Sequence, residues 1–141
     1  MEILIVIAIL AILFTIGLVT MNPAGQFARA RNQQRGFHIN AVRNAMKQKE
    51  ADDRLGGFVC QSAGSVPTST IRMSASGYDI ASCLVPYYLQ NMPFDPLDDN
   101  AFYNSISAYD TGYEIVQNSS TSEITISAPS AELGEIIFVT R

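Results

Sequence analysis

The chain opens with an unbroken apolar segment. From Ile3 to Met21 there is no charged residue, and the only polar side chains belong to Thr15 and Thr20. These 19 residues predict a helix of about 28 Å, close to the roughly 30 Å apolar thickness of a bilayer. Because no polar stripe interrupts it, we expect lipid or protein to cover the helix on all sides.

A second helical pattern follows a short interruption. Pro23 cannot donate a backbone hydrogen bond, so we expect a kink or an unwound turn near Pro23 and Gly25. Beyond it, a narrower apolar stripe recurs at spacings of mostly three and four residues until Gly56-Gly57 stops it. Its members are Phe27, Ala30, Gln34, Phe37, Ala41, Val42, Ala45 and Met46. The two patterns together predict one N-terminal helix of roughly 50 residues, far longer than the mean helix of about 11–12 residues in globular proteins.

The spacing of apolar residues then changes from the 3.6-residue period of a helix to the 2-residue period of a strand. Strands are predicted over 102–107, 113–117, 122–128 and 135–140, with turns at "YDTG" and "NSSTS". In "SEITISA", Ile124 and Ile126 face one way, so they predict a half-buried strand. Before the strands, the segment is irregular, apart from a short helix over 80–85 that Asp79 would cap and Pro86 would end.

These patterns predict an α+β fold, in which a long N-terminal helix packs against a C-terminal antiparallel sheet of three to four strands. Four segments follow from them. Residues 1–22 form the hydrophobic half of the helix and 23–54 its amphipathic half, 55–101 form a connecting region, and 102–141 form the sheet.

Charge is unevenly distributed along the chain. Residues 1–54 hold seven Lys or Arg and four Asp or Glu, whereas residues 55–141 hold two and nine. The basic run after the apolar segment consists of Arg29, Arg31, Arg35, Arg43, Lys47 and Lys49. Such a run could bind nucleic acid or anionic lipid, form a solvated helix face, or pair with acidic residues of a neighbouring copy.

Two cysteines, Cys60 and Cys83, are separated by 22 residues. The spacing matches no zinc, thioredoxin-like or haem motif. In an exported chain they would form one disulfide, worth roughly 3 kcal/mol in the chain-entropy model. In a cytosolic protein they would be two free thiols.

The residues resemble those of type IV pilins and pseudopilins. "EILIVIAILAIL" is similar to the start of a mature pilin, where a glutamate leads into an aliphatic helix. "MPFDPLDDNAFY" resembles a turn-plus-strand segment of the major pseudopilin of type II secretion, and "CLVPYYLQNMPFDP" and "TGYEI" also fit. The resemblance implies the type IV pilin fold and a structural subunit that polymerises into a cell-surface filament for adhesion, motility or DNA uptake.

The resemblance also implies a route to the filament. Subunits of the family carry a leader peptide. A prepilin peptidase removes this leader and then methylates the new N-terminus of the subunit. They then wait in the inner membrane for the pilus assembly machinery. The family's glutamate matches Glu2 and neutralises the terminal amine of an adjacent subunit, a position that falls on Met1 here. The family usually shows several residues before its glutamate, where this sequence shows Met1 alone.

Elementary energetics agrees with this role of Glu2. A lone charge at the centre of an apolar zone costs about 2.5–3.5 kcal/mol. The free N–H groups and the macrodipole of a helix N-terminus offset part of that cost. A neighbouring amine would offset more; the alternative is that Glu2 lies in the headgroup layer and does nothing.

Other chemistry is sparse. No hydrolase, metalloprotease, P-loop or dinucleotide motif occurs, so we expect no enzyme, and His38 is interpreted as a surface or packing residue. Asp95, Asp98 and Asp99 lie in one Pro-containing loop and make calcium a candidate cofactor, against a solvated acidic turn. Asn118 begins a glycosylation sequon.

Two alternatives to the pilus subunit stay open. One is a major pseudopilin that forms a short periplasmic piston. The other is a monomeric membrane-anchored binding domain that never polymerises.

Overall fold

The structure is a computed structural model, and it describes residues 2–20, 22–54 and 56–141. Two helices occupy the N-terminal third: α1 spans Glu2–Thr20 and α2 spans Pro23–Asp53. The break between the two helices confirms the interruption predicted near Pro23 and Gly25, so the long N-terminal helix is built as two helices. Asn22 adopts a left-handed backbone (φ 38°), and its side chain accepts a hydrogen bond from Gly25 N, which caps the new helix.

The sheet has five strands, one more than the upper limit predicted. They are β3 (Ile71–Ser74), β4 (Phe102–Ser105), β5 (Ala108–Gln117), β6 (Ile124–Ala128) and β7 (Ile137–Thr140). All pairings are antiparallel, in the order β3-β5-β6-β7, and β4 pairs with the first residues of β5. The extra strand β3 comes from the segment predicted to be irregular, which also contains the short hairpin β1 (Val59–Cys60) and β2 (Gly64–Ser65).

The sequence pattern predicts two hairpin turns, at "YDTG" and "NSSTS". The second is correct, because a loop over 118–123 joins β5 to β6. The first is wrong: residues 109–112 lie inside β5, and the chain reverses between Ser105 and Ala108 instead. Gly112 has a left-handed φ of 74° next to a register shift, so it forms a bulge in the strand rather than a reversal.

The core lies between α2 and the inner face of the sheet. Ile124, Ile126 and Ala128 of β6 are buried and alternate with less buried residues, as the sequence predicted. The second half of α2 meets them with Ile39, Val42, Ala45 and Met46. The chain is therefore an α+β protein with a long N-terminal helical region and a C-terminal antiparallel sheet.

The predicted stripe of α2 is correct in its second half only. Phe27 and Phe37 are 64% and 74% exposed, while Asn32 and Arg35 are buried in their place. The first half of α2 packs on polar loops rather than on the apolar core. For this reason Asn32 and Arg35, two of the three buried residues there, carry hydrogen-bonding side chains, and the third is the small Ala28.

The short helix α3 spans Ala81–Leu84, inside the predicted range, but the predicted cap is wrong. Asp79 does not bind the helix N–H groups. The hydroxyl of Tyr109 accepts hydrogen bonds from the backbone N–H of Ile80 and Ala81 at 3.0 and 3.2 Å, and it donates to Asp79 Oδ1 at 2.9 Å. A residue from β5 thus caps a helix that lies nearly 30 positions earlier.

Candidate assembly site

The apolar helix α1 is exposed on all its sides from Ile3 to Ile16. Its large aliphatic and aromatic side chains there are between 53% and 77% exposed. Because consecutive residues of this stretch are all exposed, none of its flanks is covered by the described part of the chain. Exposed apolar surface of this extent marks an interaction site. Within the described residues, no helix combines the length and the apolarity that crossing a membrane requires.

Glu2 is the first residue of α1 and is exposed. It lies at the end of the helix where backbone N–H groups are free and a negative charge is favoured. The predicted partner of this carboxylate is the terminal amine of a neighbouring Met1, and Met1 lies outside the described residues. The pairing stays a prediction.

The outward face of α2 forms a second candidate surface. Its members recur every three or four residues and carry no charge, and we call them the amide stripe: Gln26, Ala30, Gln33, Phe37, Ala41, Asn44 and Gln48. All of them are exposed except Ala41, which is partly covered. The stripe lies opposite the buried face of the helix. It could pack against another helix without burying a charge.

A buried polar network holds the first half of α2 to two loops. The Arg35 guanidinium binds Asp95 through two hydrogen bonds of 2.7 and 3.0 Å, and its Nη1 donates to Glu132 at 3.0 Å. Arg31 donates two further hydrogen bonds to Glu132, of 2.7 and 2.5 Å. Asn32 Nδ2 donates to the Glu132 carbonyl and Asn32 Oδ1 accepts from the Glu132 N–H. Part of the basic run is thus neutralised within the chain.

This network shifts the pKa of the Glu132 carboxyl. The hydrogen bonds from Arg31 lower its pKa to about 2, and Arg35 adds to the effect against the opposing influence of burial. Sequence reasoning missed the network, because its members are about 60 to 100 positions apart. The signal in the sequence is that Asn32 and Arg35 lie on the same face of α2 as the apolar residues Ile39 and Val42, which are buried.

The acids proposed for calcium have other partners. Asp95 binds Arg35, and Asp98 Oδ2 accepts from Arg72 Nη2 at 2.6 Å. Burial alone would raise the pKa of Asp98, but hydrogen bonds from Asn100 and Arg72 outweigh it and lower the pKa. Asp99 is exposed. Across the described part of the chain, no three carboxylate, histidine or cysteine side chains are grouped to hold a metal.

The remaining predicted residues are scattered. Cys60 and Cys83 form a disulfide with their Cα atoms 5.7 Å apart, which confirms that prediction. Asn118 is exposed in the β5–β6 loop, where its Oδ1 accepts from the N–H groups of Ser120 and Thr121. His38 Nδ1 lies 2.8 Å from the Tyr113 hydroxyl, and burial lowers the pKa of His38.

Comparison with known proteins returned no match to this chain among family models, curated proteins or solved structures. We therefore infer the role of these surfaces from their own geometry.

Proposed function

We propose that this protein is a structural subunit that polymerises with copies of itself into a cell-surface filament of the type IV pilus kind. The observation that carries the proposal is the exposed apolar surface of α1 between Ile3 and Ile16. Eleven large apolar side chains of α1 are more than half exposed. At roughly 1.5–3 kcal/mol for each such side chain that is fully buried, covering them would contribute on the order of ten kcal/mol or more.

The surface that buries the apolar side chains of α1 has to belong to another molecule. Among the residues whose burial the structure describes, every member of the main core cluster, including residues only partly buried against it, lies at or beyond Ile39. The helix–sheet domain therefore builds this cluster without the described side chains of α1. In a filament, α1 helices from many copies would cover one another, as the resemblance to pilins implies.

The amide stripe supports copies of this chain as the partner. It extends the uncharged surface of α1 along α2, so that helix packing could continue past Pro23. Arg29 and Lys47 are exposed on α2. Beyond residue 55, the two basic residues are Arg72 and Arg141, and both are paired with carboxylates of the same chain. A basic helix and an acidic sheet domain favour a head-to-tail contact, which generates open polymers.

Glu2 has a defined task in this proposal. A carboxylate surrounded by apolar helices is costly unless a cation binds it. The terminal amine of an adjacent copy would supply that cation. Insertion into the inner membrane before assembly, processing by a prepilin peptidase and recognition by the assembly machinery remain predictions from the resemblance.

The test is electron microscopy of the full chain and of material sheared from cells that express it. We expect long filaments from the wild type, and none from Glu2→Gln, which keeps the shape of the side chain but removes its charge. Glu123→Gln, an exposed acid in the β5–β6 loop, is the matched control and should polymerise normally. Circular dichroism of both variants should match the wild type.

Three outcomes would contradict parts of the proposal. Wild-type chain that stays monomeric without lipid, and partitions into vesicles as a monomer, would instead favour a membrane-anchored binding domain. Short periplasmic filaments without a surface pilus would favour the pseudopilin. Normal filaments from Glu2→Gln would refute the role of Glu2 while leaving the filament in place.

A further inference from the structure

We infer that this chain carries a binding site for a neutral saccharide in an open cavity beside its disulfide. The cavity lies between α2, the β1–β2 hairpin and α3, and we call it the tyrosine cavity. Its volume is about 480 Å³, within the range of about 300–1,000 Å³ typical of small-molecule sites. The residues that carry the argument are Lys49, Gln61, Ser62, Ser82, Tyr87 and Tyr88. Because one chain supplies all of these residues, ligand binding in the tyrosine cavity does not require polymerisation.

The walls of the tyrosine cavity are fixed in three places. The disulfide between Cys60 and Cys83 joins the hairpin to α3. The hydroxyls of Ser62 and Ser82 share a 2.7 Å hydrogen bond beside it. The walls are therefore preorganised at that junction, so a ligand would lose little free energy in ordering them.

The third tie reaches α2. The Tyr88 hydroxyl donates a hydrogen bond of 2.9 Å to Asp52 Oδ2, which holds Tyr88 against the helix. The same hydrogen bond raises the pKa of Tyr88, although a tyrosine hydroxyl is protonated at neutral pH even without this shift. Tyr88 thus serves as a wall, and the neighbouring Tyr87 is left as the available aromatic surface.

Tyr87 is 84% exposed although it lines the cavity. An aromatic ring offers an apolar face together with a polar hydroxyl. A pyranose has matching features, because its C–H groups form an apolar face and its hydroxyls both donate and accept. The Gln61 amide can donate to and accept from those sugar hydroxyls, and the bonded Ser62–Ser82 pair keeps oxygen lone pairs that can accept from them.

Charge at the site favours a neutral ligand. The cationic residue of the cavity, Lys49, places its Nζ 2.6 Å from Asp53 Oδ2. Asp52 lies on the same turn of α2 and adds a second carboxylate. A phosphate or carboxylate ligand would have to compete with Asp53 for Lys49 and would face Asp52, whereas a neutral polyhydroxyl compound meets neither penalty.

A second cavity extends the site. It has a volume of about 310 Å³, is lined in part by Asp53 and Val59, and shares Lys49 and Gln61 with the tyrosine cavity. Two adjoining cavities that share polar side chains would accommodate more than one sugar unit. We therefore expect oligosaccharides to bind more tightly than monosaccharides.

The test is ligand-observed saturation-transfer NMR on the full chain in a non-glycosidic detergent, since glycosidic detergents would themselves compete. The probes are methyl glycosides of glucose, galactose, mannose and N-acetylglucosamine and the corresponding disaccharides, at millimolar concentrations. We expect at least one of them to bind, with disaccharides favoured. Tyr87→Ala should weaken this binding about tenfold or more, and Gln61→Ala should weaken it less.

Phe27→Ala is the matched control, because Phe27 is an exposed aromatic residue outside both the tyrosine cavity and the amide stripe. It lies 22 residues before Lys49, about 33 Å along the helix, and its removal should leave sugar binding unchanged. Absence of binding by every neutral probe would overturn the inference, as would binding that Tyr87→Ala and Phe27→Ala weaken equally. A preference for inorganic phosphate or N-acetylneuraminic acid over the neutral sugars would overturn the ligand class.

Discussion

The Arg35 guanidinium and the Asp95 carboxylate form a bidentate ion pair in which neither side chain is exposed to solvent. The two hydrogen bonds are 2.7 Å (Nε–Oδ2) and 3.0 Å (Nη2–Oδ1). The pair joins α2 to the loop before β4. Without Asp95, Nε and Nη2 of Arg35 would be buried without an acceptor, and of its two carboxylate partners only Glu132 would remain. That loss costs far more than an exposed ion pair contributes.

We therefore expect Asp95→Ala to lower the free energy of unfolding by about 3–5 kcal/mol. Asp53→Ala is the control, because it removes the partner of Lys49 in an i,i+4 pair on the surface of α2 and should cost less than about 1 kcal/mol. Urea denaturation followed by circular dichroism measures both. Equal losses in the two variants would show that burial of the Arg35–Asp95 pair has no special weight.

The second prediction concerns acid stability at Glu132. Its pKa in the folded protein is about 2, below the ordinary value of 4.5. The unfolded chain therefore binds a proton before the folded chain does, so this stabilisation is complete above pH 4.5 and is lost as the pH falls through 2. We expect Glu132→Gln to be less stable than the wild type at pH 7, and the difference to shrink between pH 4.5 and 2.

Urea denaturation at several pH values across this window measures that difference. Glu123→Gln, on the exposed hairpin loop, should change stability by less than about 0.5 kcal/mol at neutral pH. If the gap between wild type and Glu132→Gln stays constant as the pH falls, the arginine contacts do not hold the Glu132 charge.

The third prediction tests Tyr109 as the cap of α3. Tyr109→Phe removes the hydroxyl that accepts from Ile80 N and Ala81 N and that donates to Asp79. Because Tyr109 is buried, these groups would lose their partner without gaining water, at a cost of about 1–3 kcal/mol. Tyr87→Phe, at an exposed position, should cost less than about 0.5 kcal/mol. Thermal denaturation in parallel compares the two, and similar melting temperatures would count against the cap.

The fourth prediction concerns Gly112 in the bulge of β5. Its φ is +74°, and a Cβ atom there would lie 2.9 Å from Asp95 Cβ and 3.3 Å from Ala101 Cβ. Gly112→Ala should therefore lose about 1–2 kcal/mol from the backbone alone, and more from the contact with Asp95. Gly57→Ala is the control, since a Cβ there meets no heavy atom within 4 Å. Denaturant midpoints that shift equally would refute the strain at Gly112.

Local patterns in the sequence predicted those features that depend on neighbouring residues. The absence of charge from Ile3 to Met21 predicts α1, and the alternation around Ile124 and Ile126 predicts β6 with the correct buried face. Pro23 marks the interruption between the two helices. Each of these depends on backbone geometry and side-chain periodicity within a few residues, which the sequence shows directly.

The sequence was less informative where a residue depends on a distant partner. Phe27 and Phe37 fit an apolar stripe by spacing, yet they are exposed, while Arg35 is buried. A guanidinium can be buried only where carboxylates from other segments reach it, and Asp95 and Glu132 lie 60 and 97 positions away. Periodicity contains no information about such partners.

The sequence by itself therefore determined the apolar helix α1, the glutamate at its N-terminus, the change from helix to strand and the presence of two cysteines. The tertiary structure decided which polar side chains are buried, that Tyr109 rather than Asp79 caps α3, and that β3 joins the sheet. It also brought the disulfide, two serines and two tyrosines together around one cavity. The physical reason is that burial and hydrogen bonding between remote segments are set by the packing of the whole chain, whereas secondary structure follows local periodicity.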